Sequence, residues 1–321
     1  MGRYLLRQLA SIVPTILLSM VLTFFLLRAA PGDPARVLAG RDNPTDEQIA
    51  AIQARYGLDQ PLPVQFWRYL KQLLQGNLGD SITLKQPVLD VIMSRLPATL
   101  LLTVTAAVIA VAIGTTLGAY AAQKNGSVAD TVLSFGNYAL FAVPAFWLGL
   151  VLIVIFSSRL GWLPTSGMRT VRANYTGWRE VLDVAEHMIL PVATLALVQI
   201  PVYFRITRAS VMQQQREDYV TTFRAAALPE RRIFRRYALR NGLLPTVTVF
   251  GLSLGFLFTG AALIEIVFAW PGIGRLTLDA VLRRDYPLLL GIYLILAITV
   301  SLALLITDIV YAFLDPRIRL R

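Results

Sequence analysis

RITRASVMQQQREDYVTTFRAAALPERRIFRRYALR, running from Arg205 to Arg240, is a polar island between two apolar runs, and its reading decides the fold. It holds nine arginines (205, 208, 216, 224, 231, 232, 235, 236 and 240) against three acids, Glu217, Asp218 and Glu230. A basic segment flanked by apolar runs is the pattern of a cytoplasmic connection between membrane helices. The composition around it agrees: 56% of the 321 residues are hydrophobic and 15% are charged, too apolar for an ordinary soluble domain.

Working outward from the island, six runs carry no charge: Leu9 to Leu27, Leu96 to Ala122, Thr131 to Ser158, Met188 to Phe204, Asn241 to Ile264 and Tyr286 to Thr307. Each reaches or approaches the ~20 residues that a helix rising ~1.5 Å per residue needs to cross ~30 Å of hydrocarbon. The expected fold is therefore an all-α membrane protein with six transmembrane helices. The fourth run is the shortest and contains Pro191 and Pro201. Arg3 and Arg7 precede the first run, the island follows the fourth, and Arg317, Arg319 and Arg321 follow the sixth. The positive-inside rule then puts both termini and the island in the cytoplasm. The same topology accounts for the net charge of +11 more simply than nucleic acid does.

The first run resembles a signal peptide, but its exit, Arg28-Ala29-Ala30, sets a large cation where cleavage wants a small residue, so it reads as an uncleaved helix. Three regions follow: 1–28, a tail and first helix; 29–95, an external segment; and 96–321, the remaining helices with the cytoplasmic loop 205–240. Between residues 29 and 94, six basic and seven acidic side chains nearly cancel. Thr45 with Gln48 three residues later has the form of a capping box, and Gly57 is placed to end that helix. A second helix is expected from Pro61 or Leu62 to just before Gly76, with Phe66, Tyr69, Leu70 and Leu73 on one face. This external cap either packs on helix ends or meets a substrate or delivery protein. The other outer connections are Arg159 to His187 and a short turn at Trp270 to Asp285.

Small residues four apart, Gly114 and Gly118 in the second run and Gly251, Gly255 and Thr259 in the fifth, let a helix approach closely. The approaching helix belongs to this chain or to a second subunit. Pro144, Pro191 and Pro201 free backbone carbonyls, as helices do beside a polar cavity. Glu265 and Asp308 lie near span ends and are the acids that a proton-coupled carrier would use. Gly251-Leu-Ser253-Leu-Gly255 fits a nucleophile elbow only in spelling, because that motif needs a strand-to-helix turn. His187 is read as a helix-end residue with a local hydrogen bond. The absence of cysteine excludes disulfides, thiol catalysis and cysteine-ligated metal. The three lysines, 71, 85 and 124, never follow glycine, so the chain carries no phosphate-binding loop of its own. Concentrative transport would draw on a partner ATPase or an ion gradient.

Inside the island, Asp218 to Leu228 followed by Pro229-Glu230-Arg231-Arg232 reads as helix, tight turn, helix. DYVTTFRAAALPERRIFRRYALRNGLLP resembles the cytoplasmic EAA-loop signature of ABC-importer permeases of the dipeptide, oligopeptide and nickel family. The resemblance continues in order through APGDP (30–34), YGLDQPLP (56–63), GNLGDS (76–81), LGWLPTSG (160–167), IEIVFAWPGIGRL (264–276), RDYPLLLG (284–291) and LDPRIR (314–319). It implies a type I, MetI-like permease bundle, the first of two permeases, moving substrate by alternating access. The implied partners are a second homologous permease, two cytoplasmic ATPases that hold ATP and magnesium, and an external substrate-binding protein. The chain itself would need no cofactor, metal or catalytic residue. The family's coupling helix falls on Thr221, Thr222, Phe223, Arg224, Ala225, Ala226 and Ala227, with Leu228, Pro229 and Glu230 continuing the contact. Two positions depart from the family pattern. Phe223 stands where a small residue is common and is expected as an anchor filling the partner's pocket. Ala227 stands where glycine is expected; because a left-handed alanine costs ~1 kcal/mol or more, Pro229 is expected to set the turn instead. The substrate, among peptides, glutathione and nickel chelates, is left open.

Overall fold

A computed structural model describes residues 2–29, 45–56, 59–171 and 173–314, with the side chains of 2–11, 52, 55–56, 254–260, 306 and 308–314 set aside. Gly57, the APGDP stretch, the tail arginines and the side chains of Arg3, Arg7, Thr259 and Asp308 thus lie outside the described residues. Among the described residues the regular structure is helical, and the one β-bridge pairs Asp80 with Pro87. In order, the helices are α1 (Gly2–Ala29), α2 (Asp46–Tyr56), α3 (Leu62–Leu74), α4 (Val88–Gln123), α5 (Val128–Phe141) and α6 (Ala145–Leu152). They continue as α7 (Trp178–Gln214), α8 (Asp218–Ala225), α9 (Glu230–Arg232), α10 (Leu239–Gly242), α11 (Leu244–Val267), α12 (Ile273–Leu282) and α13 (Tyr286–Leu314). Two π-helical segments, Ile153–Arg159 after α6 and Ile233–Ala238 after α9, join these elements.

The expected six membrane spans are not what the structure holds. Among the described residues, four helices are long and apolar enough to cross a membrane: Ile12–Ala29, Val88–Gln123, Trp178–Gln214 and Tyr286–Leu305. A fifth is reached if Val128–Phe141 and Ala145–Arg159, bent by 101°, count as one span. The third apolar run fails as a straight crossing because α5 ends at Phe141 and Pro144 caps α6 in an extended conformation with ψ 134°. Proline removes a helical donor and disfavours helix at the preceding residue, and a tally of uncharged residues does not register either effect. The fifth run becomes the 24-residue α11, whose middle side chains are set aside. The expected turn between Trp270 and Asp285 is instead the ten-residue α12.

The chain divides into two compact units. One comprises Met1–Pro97 and Gly272–Ser301. Here Thr45 Oγ1 accepts from the Gln48 amide at 3.3 Å while Gln48 Oε1 accepts from the Thr45 amide at 3.2 Å, a reciprocal capping box that opens α2. Helix α3 sets Phe66 and Tyr69 against Phe24 of α1, with ring centroids 5.3 and 5.9 Å away. Val88, Ile92, Ile273, Leu288 and Ile292 are buried together in its core. The fully buried Asp285 caps α13, accepting from the Leu288 amide at 3.3 Å. It also accepts from Ser81 Oγ at 2.6 Å, Thr83 Oγ1 at 2.7 Å and the amides of Ile82 and Thr83 at 3.1 and 3.0 Å. One carboxylate therefore fixes the turn that precedes α4 to the start of the last helix, and the donors offset its desolvation.

The other unit, Ala98–Pro271 with Leu302–Arg321, is organised by α7. That helix includes Pro191 and Pro201 and runs ten residues beyond the apolar run into the island, so Arg205–Gln214 is helix rather than loop. Its buried positions, among them Val192, Ala196, Ile200, Phe204, Thr207 and Val211, recur at three- and four-residue intervals, the stripe of a helix packed on one side. Helices α5, α6, α10 and α11 pack on it. Gly114 and Gly118 serve packing within the chain: a Cβ at these positions would lie 2.7 Å from the Ile200 carbonyl oxygen and 2.6 Å from that of Phe204. Gly251 does the same for Thr307, whose hydroxyl donates to the Gly251 carbonyl at 2.8 Å. Toward its C-terminal end, α7 offers Arg208, which grips Asp130 of α5 with two bonds of 2.6 and 2.8 Å.

Because backbone cannot yield as a side-chain tip can, Gly118→Ala is expected to lower stability by about 1–3 kcal/mol. Gly136→Ala, at a position with nothing within 4 Å, is the matched control and should raise stability by roughly 0.5–1 kcal/mol. Thermal unfolding of the purified protein in detergent compares the two, and equal melting temperatures would refute the close-approach reading.

Candidate functional site

Helix α8 lies in the middle of the island, and its sequence sorts into two faces. Val220 is buried and Tyr219 and Phe223 are half-buried, whereas Thr221, Thr222, Arg224, Ala225, Ala226 and Ala227 are exposed. Phe223 makes its ring contacts inside its own chain, 4.3 Å from Tyr237 and 5.9 Å from Tyr219 between centroids. The residue expected as a partner-facing anchor thus fastens α8 to the π-helical segment Ile233–Ala238. The outward surface left on α8 carries Asp218 in the first turn, then threonine, alanine and a single arginine.

The helix ends in a Schellman motif. The Leu228 amide donates to the Phe223 carbonyl at 3.1 Å and the Ala227 amide to the Arg224 carbonyl at 2.9 Å. Ala227 takes φ +57°, so alanine does adopt the left-handed conformation that was expected to pass to Pro229. Pro229 acts one step later, as the extended residue before α9. The same motif closes α11 with Ala269 at φ +48° and α12 with Arg284 at φ +54°. In each, paired amide bonds return to the last turn: Trp270 to Glu265 and Ala269 to Ile266, then Asp285 to Ala280 and Arg284 to Val281. Three of these tight reversals therefore use a side-chain-bearing residue where glycine is usual.

Across the turn, Arg224 Nε donates to Glu230 Oε1 at 2.7 Å and Nη2 to Oε2 at 3.4 Å. This hydrogen-bonded guanidinium holds the Glu230 carboxyl below the usual carboxylate range. With its folded value depressed, the pair is present at neutral pH and opens only as pH falls through that lowered value. From α8 inward, contacts run to Ile233–Ala238, then α10, then α7 and α11. The α10 contact is tight, since a Cβ on Gly242 would sit 2.9 Å from the Val211 Cα.

The remaining candidate residues separate from this site. Glu265 is fully buried and accepts from Thr99 Oγ1 at 2.6 Å. Trp270 Nε1 donates to the neighbouring Ala98 carbonyl at 2.9 Å, so the end of α11 is tied to two consecutive residues of α4. Ser253 donates to the Val249 carbonyl at 2.7 Å from within α11, far from a strand-to-helix turn. His187 Nδ1 lies 2.8 Å from the Asp183 carbonyl, the local bond expected of it. Asp183 and Asp285 were not singled out by sequence. The signal for Asp285 was present in Asp285-Tyr-Pro287, an N-cap residue with proline in the first turn.

The family described as "Binding-protein-dependent transport system inner membrane component" matches residues 114–320, and its companion, "Binding-prot-dependent transport system membrane comp, N-term", matches residues 1–103. The chain belongs to this family. It is 39% identical to the Di/tripeptide transport system permease protein DppB of Pseudomonas aeruginosa, with 98% of each chain covered. The Oligopeptide transport system permease protein AppB of Bacillus subtilis is 36% identical, and the Glutathione transport system permease protein GsiC of Salmonella paratyphi A is 40% identical, each with 99% of both chains covered. A chain of the MetNI methionine ABC transporter, solved in inward-facing conformations, superposes with a TM-score of 0.56 at 15% identity, covering 71% of this chain and 97% of that one. At that identity the likeness speaks for the fold, an all-α permease architecture. The chain is the membrane-spanning permease component of an ATP-driven importer in the inner membrane. Hydrolysis, with the nucleotide and metal it needs, belongs to other subunits of such systems. The proton-coupled alternative built on Glu265 and Asp308 is thereby set aside.

The left-handed Ala227 carries a prediction. Ala227→Gly removes a Cβ clash worth about 1 kcal/mol, and the Leu228 amide should exchange with deuterium more slowly. Unchanged or faster exchange would mean that the turn holds no strain.

Proposed function

We propose that this permease serves a peptide importer, paired with a second homologous permease, driven by two cytoplasmic ATPases and supplied by an external substrate-binding protein. The substrate class follows from the relatives: di- and tripeptides, oligopeptides and glutathione are all short amide-linked chains. In this reading both termini and residues 205–240 face the cytoplasm, residues 29–95 form the external segment, and residues 96–321 the permease core.

The ATPases dock on Thr221 to Glu230. The observation that carries this is the construction of α8: apolar contacts turned inward, small side chains turned outward, and both ends of its turn bonded by the chain itself. A helix presented in this way offers a rigid, low-relief surface to a groove, so little ordering cost remains for docking. Closure of the ATPase pair would displace α8, and the Phe223–Tyr237 ring contact would pass that displacement through Ile233–Ala238 and α10 to α7 and α11. Alternating access then follows as a rigid-body change of the bundle.

Ala225→Trp, which places a large ring on the outward face, is expected to reduce substrate-stimulated ATP hydrolysis by about tenfold or more without unfolding the permease pair. Phe223→Ala should uncouple hydrolysis from uptake by loosening the strut rather than the dock. Reconstitution of the complete transporter in proteoliposomes, with hydrolysis and uptake measured together, tests both variants. Wild-type coupling in the two would overturn the assignment.

A further inference from the structure

Beside α8 lies a cleft of about 480 Å³ whose floor is formed by the buried Val220, Ile233 and Ala238. Its rim is basic: Arg224, Arg231 and Arg235 stand against one carboxylate, Glu230. That carboxylate is already engaged, since both of its oxygens accept from Arg224. Arg231 and Arg235 are exposed, and among the described residues neither forms an ion pair. They stand four residues apart on consecutive helical segments, where like charges repel by roughly 0.2–0.5 kcal/mol in an isolated helix. After Glu230, the sequence has no acid before Glu265, so the island's second half supplies no counter-charge of its own.

We propose that this cleft receives a carboxylate-bearing segment of the partner ATPase, its acidic side chains engaging Arg231 and Arg235 while an apolar side chain meets the floor. The proposal rests on the reading that an ATPase docks on Thr221 to Glu230, and it names the chemistry of the docking face. Charge complementarity selects the occupant: two unpaired guanidiniums are forks suited to carboxylates, and the closed Arg224–Glu230 pair keeps the permease's own acid out of competition. The floor distinguishes a protein segment from a bare anion, which gains nothing from valine, isoleucine and alanine. Docking at this face should therefore depend steeply on salt, whereas the alanine and threonine surface of α8 should contribute a salt-insensitive part.

The test uses the full transporter, co-expressed with its second permease and ATPases. Arg231→Glu with Arg235→Glu is expected to lower the amount of ATPase retained on the permease at low salt by about tenfold or more, and to flatten its salt dependence. Arg231→Lys with Arg235→Lys keeps the charge and supplies amines. Treating this variant with a water-soluble carbodiimide should join a lysine to an acidic residue of the ATPase, identified by mass spectrometry. The charge-preserving variant also separates a folding defect from a docking defect. Retention that falls with Ala225→Trp but not with the glutamate pair would overturn the cleft proposal and leave the docking assignment standing. Retention indifferent to both would overturn the docking assignment as well. Cross-linking to the second permease only, or loss of anionic-vesicle binding as the sole effect of the glutamate pair, would reassign the cleft to a subunit contact or to lipid and overturn the proposal.

Discussion

No water is available to the backbone in the interior of a bilayer, so each peptide group there must find its partner within the protein. This single constraint favours helices wherever the chain crosses the bilayer and makes the helix ends the places where partners must be found elsewhere. At each end up to four carbonyls or amides lose their helical partners. The structure answers with side chains and tight reversals drawn from the chain itself: Asp285 caps α13, while Ala227, Ala269 and Arg284 close Schellman motifs. The broken third run obeys the same rule, because Pro144, which has no amide to leave unpaired, sits at the break between α5 and α6.

Helix ends secured in this way turn the island from a connection into a rigid device. Arg205–Gln214 extends α7, α8 is fastened by Val220 and by the Phe223–Tyr237 ring contact, and Gly242 presses α10 onto Val211. A flexible loop would dissipate a displacement applied at its tip. In the proposed coupling, a run of short helices held by ring contacts and close packing would transmit it, because closely packed elements shift as units instead of deforming continuously.

Much of this was legible in the chain. The reciprocal bonds of Thr45 and Gln48 were written in Thr-x-x-Gln, and the limits of α3 followed from Pro61 and Gly76. The helix-turn-helix of the island was visible in Leu228-Pro229-Glu230. These are local signals, in which residue types within four positions decide the backbone. Other features were misread because the same locality misled. Composition treated residues 131–158 as one span and gave no weight to the geometry of Pro144, and the left-handed cost of Ala227 was assigned without knowing that two amide bonds would offset it.

The sequence by itself determined the class: apolar runs of helical length, a basic island between them, and an ordered series of motifs belonging to one permease family. The tertiary structure alone decided which surface each residue serves. Phe223 turns toward Tyr237 rather than a partner, Gly114 and Gly118 admit α7 rather than another subunit, and Asp285 gathers donors from a turn two hundred positions earlier. The physical reason is range. Hydrophobicity and capping act between neighbours along the chain, whereas packing and the pairing of buried charges depend on which segments the fold brings within a few ångströms of one another.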